Sequence, residues 1–509
     1  MNKKIALIIM DGWGIGEKND NNAIHIAKTP FFDHCIDVFP HAYLEASGLA
    51  VGLPEGQMGN SEIGHTTIGA GSAIDTDLVM IEKAISDNSF FENDAFLRLL
   101  NHAKTHNSKI HMIGLLSDGG VHSHNSHIYA FLKLAKQQGL NKHQVILHIF
   151  TDGRDVSGGT AVKYIKELEK EMDINNTGII GSFGGRYYGM DRAGNHERID
   201  HVTDILFKGE GNKLNLHEKT ITDFIQSEYD EKDPTGKIDE YFEHYLCVHD
   251  NENQSKHIIT KNDGVFFFNF RADRAKQLTH AILDKQEEYN LHFVTMARYG
   301  EDLVTDVAFT PASIVTTLGK ELSKNKITHA HISESEKFPH VTFFMNGQSD
   351  ILQAGESHKK IDSRSDVKTH DEAPEMMSKE IVDAAIEAFQ THDFVVINFP
   401  NTDVVGHTGN IQAVIKAAET VDAQTKRLAD HVESIGGISL ITADHGNAEV
   451  MIDSEGAMHV AHTTNLVPFI VADKNAVVRS IGTLADIAPT VLKLFGVKEV
   501  EGMSGKSLV

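Results

Sequence analysis

Short apolar and β-branched runs recur along the chain, and each ends abruptly in a polar, commonly Gly-rich segment. Ile110–Leu116 runs into Ser-Asp-Gly-Gly-Val-His-Ser-His, Val145–Phe150 into Thr-Asp-Gly-Arg-Asp, and Gly178–Phe183 into Gly-Gly-Arg. Val265–Phe270 runs into Arg-Ala-Asp-Arg, and Thr328–Ile332 into Ser-Glu-Ser-Glu-Lys. Runs of this length bounded by turn formers predict buried strands, and most of the gaps between them, such as the one holding Ala161–Met172, have room for crossover helices. The pattern is βαβ. It returns near the two ends of the chain, where Lys4–Met10 leads into Asp11-Gly12, Phe394–Phe399 into Pro-Asn-Thr-Asp403-Val-Val-Gly-His407, and Ile438–Ala443 into Asp444-His445-Gly-Asn.

In open α/β sheets ligands sit beyond the carboxyl ends of the strands. In the middle of the chain those positions hold His122, Arg154, Asp155, Arg186, Arg271, Arg274 and, further on, Lys337. Near the ends they hold Asp11, Asp403, His407, Asp444 and His445, with His462 following in Val-Ala-His-Thr-Thr-Asn. A chain of 509 residues is longer than one core of ~250–300 residues supports, and the two chemistries define two domains. Residues 1–75 and 312–509 are expected to form a metal-binding domain, into which a substrate-binding domain, 76–311, is inserted, with the two crossings acting as a hinge. Both are expected to be α/β.

Composition narrows the partners. Lys and Arg total 47 against 72 Asp and Glu, a formal net charge of −25, which argues against nucleic acid and anionic membranes as partners. Arginine is scarce, 11 in all, yet seven fall between Arg154 and Arg298. A guanidinium fork suits carboxylate and phosphate oxygens, so this clustering points to a small anionic ligand. No apolar stretch nears the ~18 residues of a membrane span, and the run at residues 5–10 is too short for a signal peptide core. The two cysteines, Cys35 and Cys247, lie far apart in the sequence. A soluble, cytoplasmic, monomeric protein with inert thiols is expected.

The Asp and His set has the composition of a metal centre. Neutral imidazole with carboxylate suits Mn²⁺, Zn²⁺ or Fe²⁺, and three carboxylates with three imidazoles would serve two ions. Gln57-Met-Gly-Asn-Ser61-Glu-Ile-Gly-His enters a helix, so Ser61 is either its N-cap or a nucleophile with the helix dipole behind a bound phosphate. A neutral hydroxyl needs a base or a metal to activate it, and the metal set offers one.

Taken in order, Asp11-Gly-Trp-Gly, Met58-Gly-Asn-Ser61-Glu-Ile-Gly-His, Ser117-Asp-Gly-Gly-Val-His122-Ser-His, Asp152-Gly-Arg-Asp155, Gly185-Arg-Tyr-Tyr-Gly-Met-Asp-Arg192, Asn269-Phe-Arg-Ala-Asp-Arg274, Glu334-Ser-Glu-Lys337-Phe-Pro-His, Asp403-Val-Val-Gly-His407, Thr442-Ala-Asp444-His445 and His462-Thr-Thr-Asn resemble cofactor-independent phosphoglycerate mutases of the alkaline-phosphatase superfamily. The resemblance implies interconversion of 3-phosphoglycerate and 2-phosphoglycerate through a phosphoserine on Ser61, with two Mn²⁺ ions and no 2,3-bisphosphoglycerate. It implies one metal on Asp403, His407 and His462 and the other on Asp11, Ser61, Asp444 and His445. Substrate would be held by His122, Arg154, Asp155, Arg186, Arg192, Arg271, Arg274 and Lys337, with Asp155 as acid/base. Val156-Ser-Gly-Gly, Thr402 and Leu466 depart from the family pattern without removing a reacting group. A phosphatase or phosphopentomutase of the same superfamily would share the Asp/His set but not the arginines. A His-rich metal-storage protein would show its 31 His in runs, which are absent.

Overall fold

The computed structural model describes residues 3–233, 237–249, 257–311 and 313–509. Met1, Asn2 and residue 312, at which the second domain crossing was placed, lie outside these. In chain order the strands are β1 (Ile5–Met10), β2 (His41–Glu45), β3 (Ile110–Leu115), β4 (Val145–Thr151), β5 (Ile179–Gly185), β6 (Asn212–Asn215), β7 (Tyr245–Val248), β8 (Gly264–Phe267), β9 (His292–Thr295), β10 (Asp306–Val307), β11 (His329–Glu334), β12 (Glu356–Ile361), β13 (Phe394–Phe399), β14 (Ile438–Thr442), β15 (Val467–Val471) and β16 (Ile481–Thr483). The chain divides into two compact units, Met1–Asp75 with Ala312–Val509, and Thr76–Pro311. Both are α/β.

The first unit carries a sheet of order β12-β11-β13-β1-β14-β15-β2-β16. Every residue of β1 is buried, as a strand covered on both faces requires, and so its sequence is apolar without alternation. Strands β11, β13, β1 and β14 are parallel neighbours, so their carboxyl ends share one edge. The parallel pattern stops at β15, which runs antiparallel to both β14 and β2. The connection from β13 to β14 includes the helix Ile411–Ser434, whose Val414, Ala417, Ala418, Val421, Leu428 and Val432 are buried at helical spacing.

The second unit repeats the principle with order β10-β9-β8-β3-β4-β5-β7-β6. Here β10, β9, β8, β3, β4 and β5 run parallel as neighbours, while β7 is antiparallel to β5. Side-chain alternation splits its core between the two faces: Phe266 packs with Phe96 and Phe131, and Phe267 with Tyr299. β8 ends at Phe267 rather than Phe270. Beyond it the backbone bonds to the carbonyls of Ile113 and His122, which turns Arg271 away from the ladder. Both thiols are free and buried. Burial pushes Cys35 up to about 12 and Cys247 also well up, so neither is a thiolate near neutral pH.

A buried polar chain crosses the second sheet: Asp263 to His111 (3.2 Å), His111 to His148 (2.8 Å), His148 to Ser182 (2.8 Å) and Ser182 to His244 (3.1 Å). Burial alone would raise the Asp263 carboxyl, but the His111 hydrogen bond and charge and the nearby Lys109 hold it below its usual range. A carboxylate depressed in the folded state stabilises above its unfolded pKa of ~3.9 and loses that contribution as pH falls below it. Asp263→Asn is therefore expected to cost about 2–4 kcal/mol at pH 7. In thermal melts the gap from wild type should narrow as the pH is lowered from 5 to 3.

Candidate active site

The parallel strands of the first unit deliver its chemistry to one edge. Asp11 follows β1, Asp403 lies in the helix Asn401–Gly406 after β13, Asp444 and His445 follow β14, and Lys337 follows β11. Ser61 is the first residue of the helix Ser61–Ala70; its neighbour Asn60 is the N-cap, accepting from the Ile63 amide. The capping alternative for Ser61 is thereby excluded. Gly64 lets this helix close on the Asp444 turn, since a Cβ there would sit 2.8 Å from the Asp444 carbonyl oxygen.

The Lys337 ammonium donates to Ser61 Oγ at 2.5 Å, Asp403 Oδ2 at 2.6 Å and Asp11 Oδ1 at 2.8 Å. Ser61 Oγ lies 3.0 Å from His445 Nε2 and 3.3 Å from Asp11 Oδ1. His407 Nε2 and His462 Nε2 each lie 3.2 Å from Asp403 Oδ1 and 3.1 Å from one another. Their Nδ1 atoms face the carbonyls of Val460 (2.7 Å) and Gly59 (2.8 Å), bonds that leave both Nε2 atoms as lone pairs when the rings are neutral.

These acceptors converge without enough donors. Burial, then Asp444, raises the Asp11 carboxyl. Burial would lower Lys337, but Asp11, Asp403 and Asp444 drive it far above its usual value. Burial opposes ionisation of Asp403 as well, yet Lys337 and the two imidazoles hold it well down. The contact with Asp403 raises His407 and, against burial, His462. Asp444 Oδ2 is buried without a hydrogen-bond donor among the described residues. His65 Nδ1, 3.3 Å from it, is 2.8 Å from the Ser61 carbonyl. Ligand atoms of Asp403, His445 and His462, and of Asp11, Asp444 and His445, form two groups each within 4.8 Å. An orphaned carboxylate oxygen and facing imidazole lone pairs fit a divalent cation.

In the second unit, β3, β4, β5 and β8 bring the arginines together in the same way. Arg186 is buried and binds Asp152 (2.6 Å) and Asp155 (2.7 Å). Asp152 also accepts from Ser117 Oγ (2.6 Å) and from the amides of Arg154 and Asp155. Arg154 reaches Glu240, and Asp273 gathers Arg271 (3.2 Å), Arg192 (3.5 Å) and His122 (3.6 Å). Arg274 donates to the Met190 carbonyl, and burial plus the charges of Arg154, Arg186 and Arg192 lower its pKa. Burial, then Arg186, holds His122 to about 4, so it is neutral at pH 7. The side chains of Arg154, Arg192 and Arg271 are about half exposed and can reach a ligand.

The sequence profile of the Metalloenzyme superfamily matches residues 3–499. A Clostridioides difficile (strain 630) protein named 2,3-bisphosphoglycerate-independent phosphoglycerate mutase is 42% identical over 524 aligned residues, covering 100% of this chain and 99% of its own. The chain belongs to this family of isomerases. A Mycoplasma genitalium mutase of the same name is 41% identical, again covering 100% and 99%. The phosphoglycerate mutase of Leishmania mexicana, in crystal structures at low cobalt concentration, matches with 29% identity and a TM-score of 0.57 over 100% of this chain and 98% of that one.

Several groups that shape this mutase site carry no signal of their own in the sequence. Asn398 donates to Asp11 Oδ2 at 2.8 Å from within β13, and Asn447 to Asp403 Oδ1 at 3.1 Å. Glu449 accepts from the Gly14 and Asn447 amides, Thr463 and Asn465, tying down the segment that bears His462. Asp152 and Asp273 lie inside quoted motifs, and only the fold shows them as anchors. The arginines are consequently unequal. Arg186→Met should leave Asp152 buried without its counter-charge and cost about 3–5 kcal/mol. Arg192→Ala, at an exposed position, should stay within about 0.5 kcal/mol of wild type; denaturant unfolding measures both.

Proposed function

We propose that the protein interconverts 3-phosphoglycerate and 2-phosphoglycerate through a phosphoserine on Ser61, without 2,3-bisphosphoglycerate. The observation that carries this reading is the setting of Ser61: the first residue of a helix, with its hydroxyl within 3.3 Å of Lys337, His445 and Asp11. In this proposal Asp403, His407 and His462 hold one Mn²⁺ and Asp11, Ser61, Asp444 and His445 the other. Bound there, the ions would supply Lewis-acid stabilisation of the phosphoryl oxygens and a lower pKa for the serine hydroxyl.

The chain's own groups do the rest. Ser61 Oγ forms a bond to phosphorus as the ester bond to one glycerate oxygen breaks, and Lys337 neutralises charge on the transferring group. Asp155 in its protonated form gives a proton to the departing glycerate oxygen and takes one back from the oxygen that next attacks the phosphoserine, while Ser61 enters and leaves the cycle ionised, so that protons balance. Arg154, Arg192, Arg271, Arg274 and neutral His122 bind the carboxylate and phosphate oxygens, while Arg186 positions Asp155. The unit 76–311 is thus the substrate-binding domain and residues 1–75 with 312–509 the metal-binding one.

Conversion of 3-phosphoglycerate to 2-phosphoglycerate, assayed with Mn²⁺ and no bisphosphoglycerate, is expected to fall at least ~10³-fold in Ser61→Ala and on EDTA treatment. Turnover unaffected by either change would overturn the reading. Protons and metal compete for His407 and His462, whose pKa values Asp403 raises. Activity should therefore decline as pH falls through ~6–7, and added Mn²⁺ should partly restore it; an acid limb indifferent to Mn²⁺ would contradict the assignment of these imidazoles.

A further inference from the structure

A second cluster of ligand-type side chains lies on β11 and β12, separate from the groups around Ser61. The parallel register sets His329 against Glu356 and His331 against His358. Strand periodicity puts His329 and His331 on one face of β11, and Glu356 and His358 on one face of β12. His329 and His331 are buried, as is the Glu356 carboxylate. His329 Nδ1 lies 2.9 Å from His331 Nε2, which is 3.8 Å from Glu356 Oε1. All three ligand atoms fall within 4.8 Å of one another. Ligands at 2.0–2.2 Å from a tetrahedral ion are about 3.3–3.5 Å apart, so these spacings bracket those of a bound cation.

We propose that His329, His331 and Glu356 bind an additional divalent ion of the Zn²⁺ class, with water as the fourth ligand. Two imidazoles and a carboxylate without thiolate form a donor set suited to this borderline ion. Each ligand is also held from behind, as metal ligands generally are. His331 Nδ1 donates to the Val341 carbonyl at 2.5 Å, which directs its Nε2 lone pair into the cluster. Ser323 Oγ, 3.3 Å from His329 Nε2, can accept its proton and free Nδ1. Glu356 accepts from the Gln353 amide on Oε2 (2.8 Å), while Asn346 Nδ2 and His358 Nε2 (2.6 Å each) orient Oε1 itself. Burial holds His329 down to about 3 and keeps His331 low as well, so both rings are neutral near pH 7. The His358 side chain is 23% exposed and marks the route from solvent. An ion here would pin β12, the edge strand of its sheet, to β11.

The test counts zinc. EDTA-stripped protein is reloaded with Zn²⁺ alone, freed of excess and analysed by mass spectrometry. Wild type should carry one equivalent more than His329→Gln or His331→Gln, with the circular dichroism of the variants unchanged. Equal zinc in all three proteins would overturn the site. Wild-type crystals soaked in ZnCl₂ answer independently of any variant: an anomalous peak among His329, His331 and Glu356 supports the proposal, and peaks confined to the centre around Asp11, Asp403 and Asp444 refute it.

Discussion

Three carboxylates, Asp11, Asp403 and Asp444, are buried around one ammonium, that of Lys337. Gathering like charges out of water is costly, and one cation cannot compensate three anions. The imbalance shows in the structure: Asp11 is raised, Lys337 is driven far up, and an Asp444 oxygen has no donor among the described residues. A divalent ion fits such a site, and this charge arrangement links the folding of the first unit to its chemistry. The cost is met by a sheet whose central strand is wholly buried and by helices that hold the loops in place.

The two units solve the same geometric problem with different side chains. Adjacent parallel strands, five in the first sheet and six in the second, end along one sheet edge, so residues far apart in sequence converge without long loops. In the first unit these ends carry Asp, His and Lys; in the second they carry Arg with Asp152 and Asp273 between. The interleaved acids matter, because guanidiniums alone would repel; Arg274 is lowered first by burial and then by the neighbouring Arg154, Arg186 and Arg192. Part of the positive charge is therefore spent on internal architecture, as at Arg186, and the exposed remainder can engage an anion.

The strands β1, β3, β4, β13 and β14 were legible as apolar runs because strands covered on both faces need no polar alternation. Where a run exceeded its ladder, as at Phe268–Phe270, hydropathy could not mark the end, since burial continued after sheet pairing stopped. The antiparallel strands β7 and β15 were equally invisible, because strand direction is a property of pairing. Among site residues, those with distinctive chemistry at strand ends stood out. Asn398, within an apolar strand, and Glu449, in a loop, did not, because each acts through a hydrogen bond whose partner is distant in sequence.

By itself the sequence determined which residue types follow which strands, and hence the class of chemistry: imidazole and carboxylate at the ends of the chain, guanidinium in the middle. Tertiary structure alone decided which of these groups share a point in space. It made Asn60 rather than Ser61 the helix cap, turned Arg186 into a buried anchor, aimed the His407 and His462 Nε2 atoms at Asp403, and paired His329 with Glu356. The reason is physical. Composition and periodicity are local properties of the chain, whereas hydrogen-bond direction, desolvation and charge balance depend on neighbours that only the packing of strands and helices supplies.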